Sequence, residues 1–322
     1  MEYRTLGRTG LKVSEIGFGA WGIGKTWWGP ADDRESLKAL TRAMECGINF
    51  FDTAYVYGDG HSERLIGKAV GDWKFPIHIA TKIPPKNKRW PALANTPIRE
   101  AFPSDWIIKC TERSLKNLHI DCIDIQQFHV WDDSWTHAPD WQEGINKLKT
   151  DGKIRFFGIS INDYQPENAL ELVRSGLVDS VQVIYNLFEQ APADKLFPAC
   201  QEFKVGVIVR VPFDEGSLTG TFHPNITFHE EDFRRDYFGG DRLKEVCDRV
   251  QDFKFLLRGD IQNLAQGALK FCLTHPAVST LIPGMRKVSH VDENAAVSDR
   301  NLLTQKEMDR LRPLAWRRDF YQ

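Results

Sequence analysis

Apolar residues follow two alternating patterns along this chain. Short apolar runs end near Ala20, Asp52, Lys82, His129, Ile159, Ile184, Arg210 and Ile282. Between them, apolar residues recur at three- and four-residue spacing, as in Leu37-Leu40-Ala43-Met44, Ile107-Cys110-Leu115-Leu118 and Leu170-Leu172-Val173-Leu177. The first pattern predicts buried strands, the second amphipathic helices. Eight strands alternating with helices predict an α/β fold, a parallel (β/α)8 TIM barrel forming one domain over residues 1–322. A doubly wound open sheet is the alternative, but no Gly-x-Gly-x-x-Gly follows the first strand, where an open-sheet dinucleotide fold needs it. Tyr3-Arg4-Thr5 and Leu11-Lys12-Val13 flank a turn and predict an N-terminal β-hairpin that plugs one end of the barrel. The interval after the seventh strand is long. It holds a polar, aromatic loop insertion over residues 219–240 and a charged helix over 241–257, read as a cover over the barrel mouth.

Composition narrows the function classes. A net charge of −2 gives no electrostatic reason to expect nucleic acid or an anionic membrane as partner. There is no apolar run long enough for a membrane span, and the N-terminus lacks the apolar core of a signal peptide. Cys46, Cys110, Cys122, Cys200, Cys247 and Cys272 form no CxxC pair. They read as reduced packing residues of a cytoplasmic protein, with neither a disulfide frame nor a metal site.

The candidate chemistry gathers around residues 49–63. Asp52 ends the second strand, and Tyr57 follows in a loop closed by Gly58 and Gly60. Lys82 ends the third strand and His129 the fourth. Taken singly, Asp52 reads as a loop cap, Tyr57 as a surface aromatic and His129 as a structural histidine. An ammonium at the inner end of an apolar strand, however, needs a carboxylate partner, and Asp52 stands on the neighbouring strand. In a parallel barrel the C-terminal strand ends carry the active site, so all four residues converge on one mouth. A tyrosine titrates at about 10, and a nearby lysine cation is expected to lower that value towards a working range.

These residues resemble the aldo-keto reductase superfamily. The resemblance rests on Asp52-Thr-Ala-x-x-Tyr57-Gly-x-Gly-x-Ser62-Glu63, Thr81-Lys82, Gln127-x-His129, Gly152-Lys-Ile-Arg-x-x-Gly-Ile-Ser160, Gln182-x-x-Tyr185-Asn186-Leu187 and Ile282-Pro-Gly-Met-Arg286 with Glu293-Asn294. It implies a barrel that reduces a small carbonyl compound, or oxidises the alcohol, with NADPH favoured as cofactor and NAD possible. In it Tyr57 is the general acid, Lys82 tunes it, Asp52 holds Lys82, and His129 orients the carbonyl.

The resemblance also implies a cofactor path. Ser160, Asn162 and Gln182 would meet the carboxamide, although Ile161 separates Ser160 from Asn162 where many relatives have the pair adjacent. Ala20, Trp21, Arg210, Pro212, Phe213, Ser217, Gly284, Arg286, His290, Glu293 and Asn294 would also bind the cofactor, with Arg286 and Lys287 at the 2′-phosphate. Arg210 stands where many relatives place a stacking tyrosine, and a cation there would disfavour the positive oxidised ring. Asp214 and Glu215 are odd choices beside phosphates: either Asp214 pairs with Arg286 across the cofactor as a latch, or both acids face solvent. Trp21, Trp28, Trp90 and Trp131 are the expected substrate pocket, suited to an apolar or sugar-like carbonyl. The alternatives are a cofactor-binding regulatory subunit and a lyase using Lys82 as a Schiff base. The C-terminal segment from Trp316 is read as capping the barrel or contacting a neighbour.

Overall fold

The computed structural model describes every residue except Thr26, Asp72 and Gln322. Strands β1 (Tyr3–Thr5) and β2 (Lys12–Ser14) form the antiparallel hairpin. The strands β3 (Phe18–Gly19), β4 (Phe50–Asp52), β5 (His78–Ile83), β6 (Ile123–Phe128), β7 (Ile154–Ser160), β8 (Ser180–Ile184), β9 (Gly206–Arg210) and β10 (Val278–Leu281) follow as one parallel sheet in chain order. Bridges from Ile16 to Leu281 and from Gly19 to Gly284 bring its two edges together, giving a nearly closed barrel. The order contains no reversal, so the open doubly wound alternative falls. The eight expected strand ends lie within one residue of the observed ones, because burial on both faces makes such strands continuous apolar runs.

Alternation along the strands builds two layers inside the barrel. Phe50, Ala80, Ile125 and Ile208 form an apolar layer, and hairpin residues Leu6, Leu11 and Val13 pack against it as the expected plug. Two residues further along the same strands come Asp52, Lys82, Gln127 and Arg210, so the polar layer lies at the C-terminal mouth.

The helices follow the apolar spacing. Helix Asp33–Glu45 begins at Asp32, whose carboxylate accepts from the amides of Arg34 and Glu35, and it buries Ala39, Leu40, Ala43 and Met44. Helix Leu170–Ser175 stops short of Leu177, because Gly176 takes φ 80° and ends it. The charged helix expected over 241–257 is helix Arg242–Val250 followed by the tighter turn Gln251–Leu256, which buries Phe253 and Leu256. The insertion does reach the mouth. The Phe233 amide donates to the Trp27 carbonyl at 2.8 Å, and Asp232 bridges Trp28. Among the described residues no helix is long and apolar enough to cross a membrane.

Candidate active site

Asp52, Tyr57, Lys82 and His129 meet at the mouth. Lys82 is 1% exposed, and its ammonium donates to Asp52 Oδ1 at 2.5 Å, to the Thr53 carbonyl at 2.8 Å and to the Tyr57 hydroxyl at 3.4 Å. The other Asp52 oxygen accepts from Gln127 Nε2 at 3.1 Å and Gln182 Nε2 at 2.7 Å. The buried ion pair is thus fully hydrogen-bonded, the condition under which such a pair is tolerated. The His129 ring lies 5.9 Å from the Tyr57 ring, edge to face. Its Nδ1 is buried and has no hydrogen-bond partner.

Local structure holds Tyr57 in place. Ser62 donates to the Ala20 carbonyl and accepts from Thr53, both at 2.9 Å, while buried Glu63 accepts from Thr81 at 2.6 Å and Asn117 at 2.8 Å. These two motif residues therefore pin the loop. Gly24 lets the loop after β3 close on Tyr57: a Cβ there would stand 2.9 Å from the tyrosine's own Cβ. That approach stacks Trp21 on Tyr57 at 6.0 Å and 23°.

The electrostatics correct one expectation. Burial pushes the Tyr57 pKa up and outweighs Lys82, whose pull downwards is further opposed by Asp52. The Tyr57 phenol is therefore held protonated. Burial, with Lys82 and then Arg210, takes His129 well below the ordinary imidazole value, so its ring is neutral near pH 7.

The aromatic residues divide. Trp90 meets His129 edge-on at 5.8 Å and remains 47% exposed. Trp21 and Trp28 pack edge to face at 5.3 Å, and Phe233 from the insertion stacks on Trp21 at 5.1 Å. Trp131, expected in the pocket, is fully buried among Phe128, Trp135 and Trp141 in the core. The residue after His129 turns the chain, so the next aromatic side chain points away from the mouth.

The expected cofactor residues also divide. Ser160 and Gln182 are register partners on β7 and β8, and both are buried. Asn162 gives both amide hydrogens to the Ala92 carbonyl and Gln165, and accepts from the Ala92 amide. It thereby fastens the loop that carries Trp90. Arg210 donates to the Ile161 carbonyl at 3.0 Å and to Asp163 Oδ1 at 2.5 Å, leaving Nε buried without a partner. Pro212 and Ser217 are buried, and Phe213 is half-buried.

At the far end, Arg286 donates to the carbonyls of Trp28 at 3.0 Å and Pro30 at 2.6 Å. Gly284 and Glu293 are exposed and Asn294 is buried. Burial and Arg234 lower the Arg286 pKa. Burial and Lys287 lower that of His290, with Glu293 offsetting part. Exposed Lys287 stands at the start of helix Val288–Ala295, whose first turn carries no acidic residue, so this amide end suits an anion. Tyr57, neutral His129, the buried Ser160 hydroxyl and Gln182 amide oxygen, and this positive end together fit a nicotinamide dinucleotide.

The expected latch is corrected. Asp214 pairs with Arg318, not Arg286, and Glu215 accepts from the Tyr321 hydroxyl; both acids are buried. Sequence reasoning missed Asp163, Phe233, Arg318 and Tyr321 at this mouth. Its one available signal was the pair of acids without a nearby base and a chain end rich in arginine and aromatics. Among the described residues no group of side chains is arranged to hold a metal ion.

Residues 15–315 match the family model for the Aldo/keto reductase family. Among curated relatives, the chain is 29% identical over 314 residues to Aldo-keto reductase YhdN of Bacillus subtilis, covering 96% of this chain and 92% of that one. It is 27% identical to the NADH-specific methylglyoxal reductase of Escherichia coli, covering 92% and 93%. Among solved structures, the glycerol dehydrogenase of Gluconobacter oxydans superposes with a TM-score of 0.80 at 26% identity, covering 97% and 94%.

Proposed function

Because the chain belongs to the aldo/keto reductase family, a family of NAD(P)H-dependent oxidoreductases, we propose that it reduces an aldehyde or ketone to an alcohol with NADPH, Tyr57 acting as general acid. The observation that carries this reading is the Lys82 ammonium shared between Asp52 and the Tyr57 hydroxyl, beside a neutral His129. When bound, the reduced nicotinamide supplies a hydride to the carbonyl carbon.

The chain's own residues manage the oxygen. Neutral His129 donates a hydrogen bond that orients the carbonyl and polarises it. Tyr57 gives its proton to the oxygen as the alcohol forms, and Lys82 stabilises the phenolate left behind. Trp21 and Trp90 flank these donors and exclude water, which suits an apolar or sugar-like carbonyl. Ser160 and Gln182 are the residues that would hold the carboxamide. Arg210 would stand beside the ring, and Lys287 with the free amides at the start of helix Val288–Ala295 would take the 2′-phosphate. The Schiff-base reading of Lys82 is disfavoured, because its ammonium is buried and makes three hydrogen bonds.

Titration of the protein with NADPH and NADH, followed by quenching of tryptophan fluorescence, tests the reading. Tight NADPH binding, with turnover of aldehydes that Tyr57→Phe abolishes, supports it. Comparable NADH binding moves the protein towards an NAD-linked dehydrogenase, and binding of neither overturns the assignment.

A further inference from the structure

Asn162 stands two residues past β7, and its side-chain amide pairs with the backbone of a single residue on another loop. Nδ2 donates to the Ala92 carbonyl at 3.0 Å, and Oδ1 accepts from the Ala92 amide at 3.1 Å. Both residues are buried. The pairing imitates a rung of a sheet, and it needs a donor and an acceptor side by side, which a carboxamide presents. The second Nδ2 hydrogen goes to Gln165 Oε1 at 3.1 Å. Both donors of Asn162 are therefore committed inside the protein, and no hydrogen is left for a nicotinamide carboxamide.

The tie reaches the site through Trp90. Ala92 lies two residues after Trp90, whose ring meets His129 edge-on at 5.8 Å. Trp90 is exposed, so its own packing holds it weakly and the backbone tie decides where the ring stands. The same loop is tied again at Thr96, whose carbonyl accepts from Trp135 Nε1 at 2.7 Å. Gln165 Oε1 also accepts from Asn168 Nδ2 at 3.5 Å. Asn168 in turn donates to the Trp131 carbonyl and accepts from the Asp133 amide, both at 2.9 Å. Asn162 thus joins the loop carrying Trp90 to the segment that follows His129. Its neighbours fix this junction from the other side, since the Ile161 carbonyl and Asp163 both accept from Arg210.

We propose that Asn162 is a positioning residue for the carbonyl substrate: by clamping Ala92 it holds Trp90 over His129, and it takes no part in binding the cofactor. The proposal rests on the oxidoreductase reading above, in which Trp90 flanks the reacting carbonyl. It separates Asn162 from Ser160 and Gln182, which keep the carboxamide role. A residue that only stabilised the fold would alter KM no more for one aldehyde than for another, and its effect would not depend on the ring at position 90.

The test uses the full-length protein in four variants: Asn162→Ala, Gln165→Ala, Trp90→Ala, and Asn162→Ala with Trp90→Ala. Three quantities are read: amide hydrogen exchange at Ala92 without ligands, affinity for NADPH and NADH, and kcat and KM for glyceraldehyde and benzaldehyde. Removing the partner of two buried peptide groups is expected to speed exchange at Ala92 about tenfold or more in Asn162→Ala. Cofactor affinity is expected to stay within about twofold of wild type, and KM for benzaldehyde to rise about three- to tenfold with kcat little changed. In the Trp90→Ala background Asn162→Ala is expected to add no further rise. Gln165→Ala keeps the Ala92 pair and guards against misfolding; it is expected to shift exchange and KM in the same direction by less. Weakened cofactor binding with unchanged KM would return Asn162 to the carboxamide and overturn the proposal. So would unchanged exchange at Ala92, or KM effects that simply multiply in the double variant. Failure of the wild type to bind either nicotinamide cofactor would overturn the oxidoreductase reading itself, and the substrate role of Asn162 with it.

Discussion

The ammonium of Lys82 stands 3.4 Å from the hydroxyl of Tyr57, and it is held there by Asp52. The phenol nevertheless titrates above its ordinary value, because burial outweighs this one partly neutralised cation. Tyr57→Phe is therefore expected to lower kcat/KM for carbonyl reduction about 10²- to 10⁴-fold while leaving cofactor affinity unchanged.

The pH dependence follows from the same geometry. Reduction uses the phenol proton, so kcat/KM is flat while Tyr57 is protonated and falls as pH rises through its pKa. With that pKa raised, the falling limb lies above about pH 10. His129, held well below its usual range, adds no limb between about pH 6 and 8. Removing the cation in a Lys82→Met, Asp52→Asn double variant, which leaves no unpaired buried charge, is expected to slow the reaction. Activity measured across pH checks all three statements.

Arg210 joins Asp163 at 2.5 Å, and its charge is felt at both Tyr57 and His129. A cation beside the nicotinamide disfavours the oxidised, positive ring. Arg210→Tyr is expected to raise the affinity for oxidised relative to reduced cofactor, on the order of tenfold. Paired titrations with the two forms decide it, and an unchanged ratio removes Arg210 from this role.

At the proposed 2′-phosphate site, Arg286 is occupied by the Trp28 and Pro30 carbonyls. Lys287 is exposed and immediately precedes the following helix, making no side-chain hydrogen bond to its first turn. Lys287→Ala is expected to weaken NADPH binding about tenfold and to leave NADH binding unaltered, measured by fluorescence titration of both.

Trp131 and Trp90 separate packing from recognition. Trp131→Ala is expected to cost about 3–5 kcal/mol in denaturant unfolding with little change in substrate preference. Trp90→Ala, at a side chain 47% exposed beside His129, is expected to leave stability nearly unchanged and alter KM across a series of aldehydes.

What the sequence alone determined was the local and the periodic. Strand ends at Asp52, Ile184 and Arg210 were legible because a barrel strand is a short apolar run that stops at its mouth. The Asp52–Lys82 pairing was legible because a buried ammonium demands a carboxylate on a neighbouring strand. Tertiary structure decided whatever depended on direction or on distance along the chain. Trp131 turned into the core although it lies two residues after His129, since a loop's side-chain directions follow its turns and not a period. The Tyr57 pKa stands above its ordinary value despite the downward pull of Lys82, because burial, a property of the whole fold, set the balance. Asp214 found Arg318, at the far end of the chain, in place of Arg286. Charge pairing in sequence is ambiguous among many bases, and only packing chooses which one arrives.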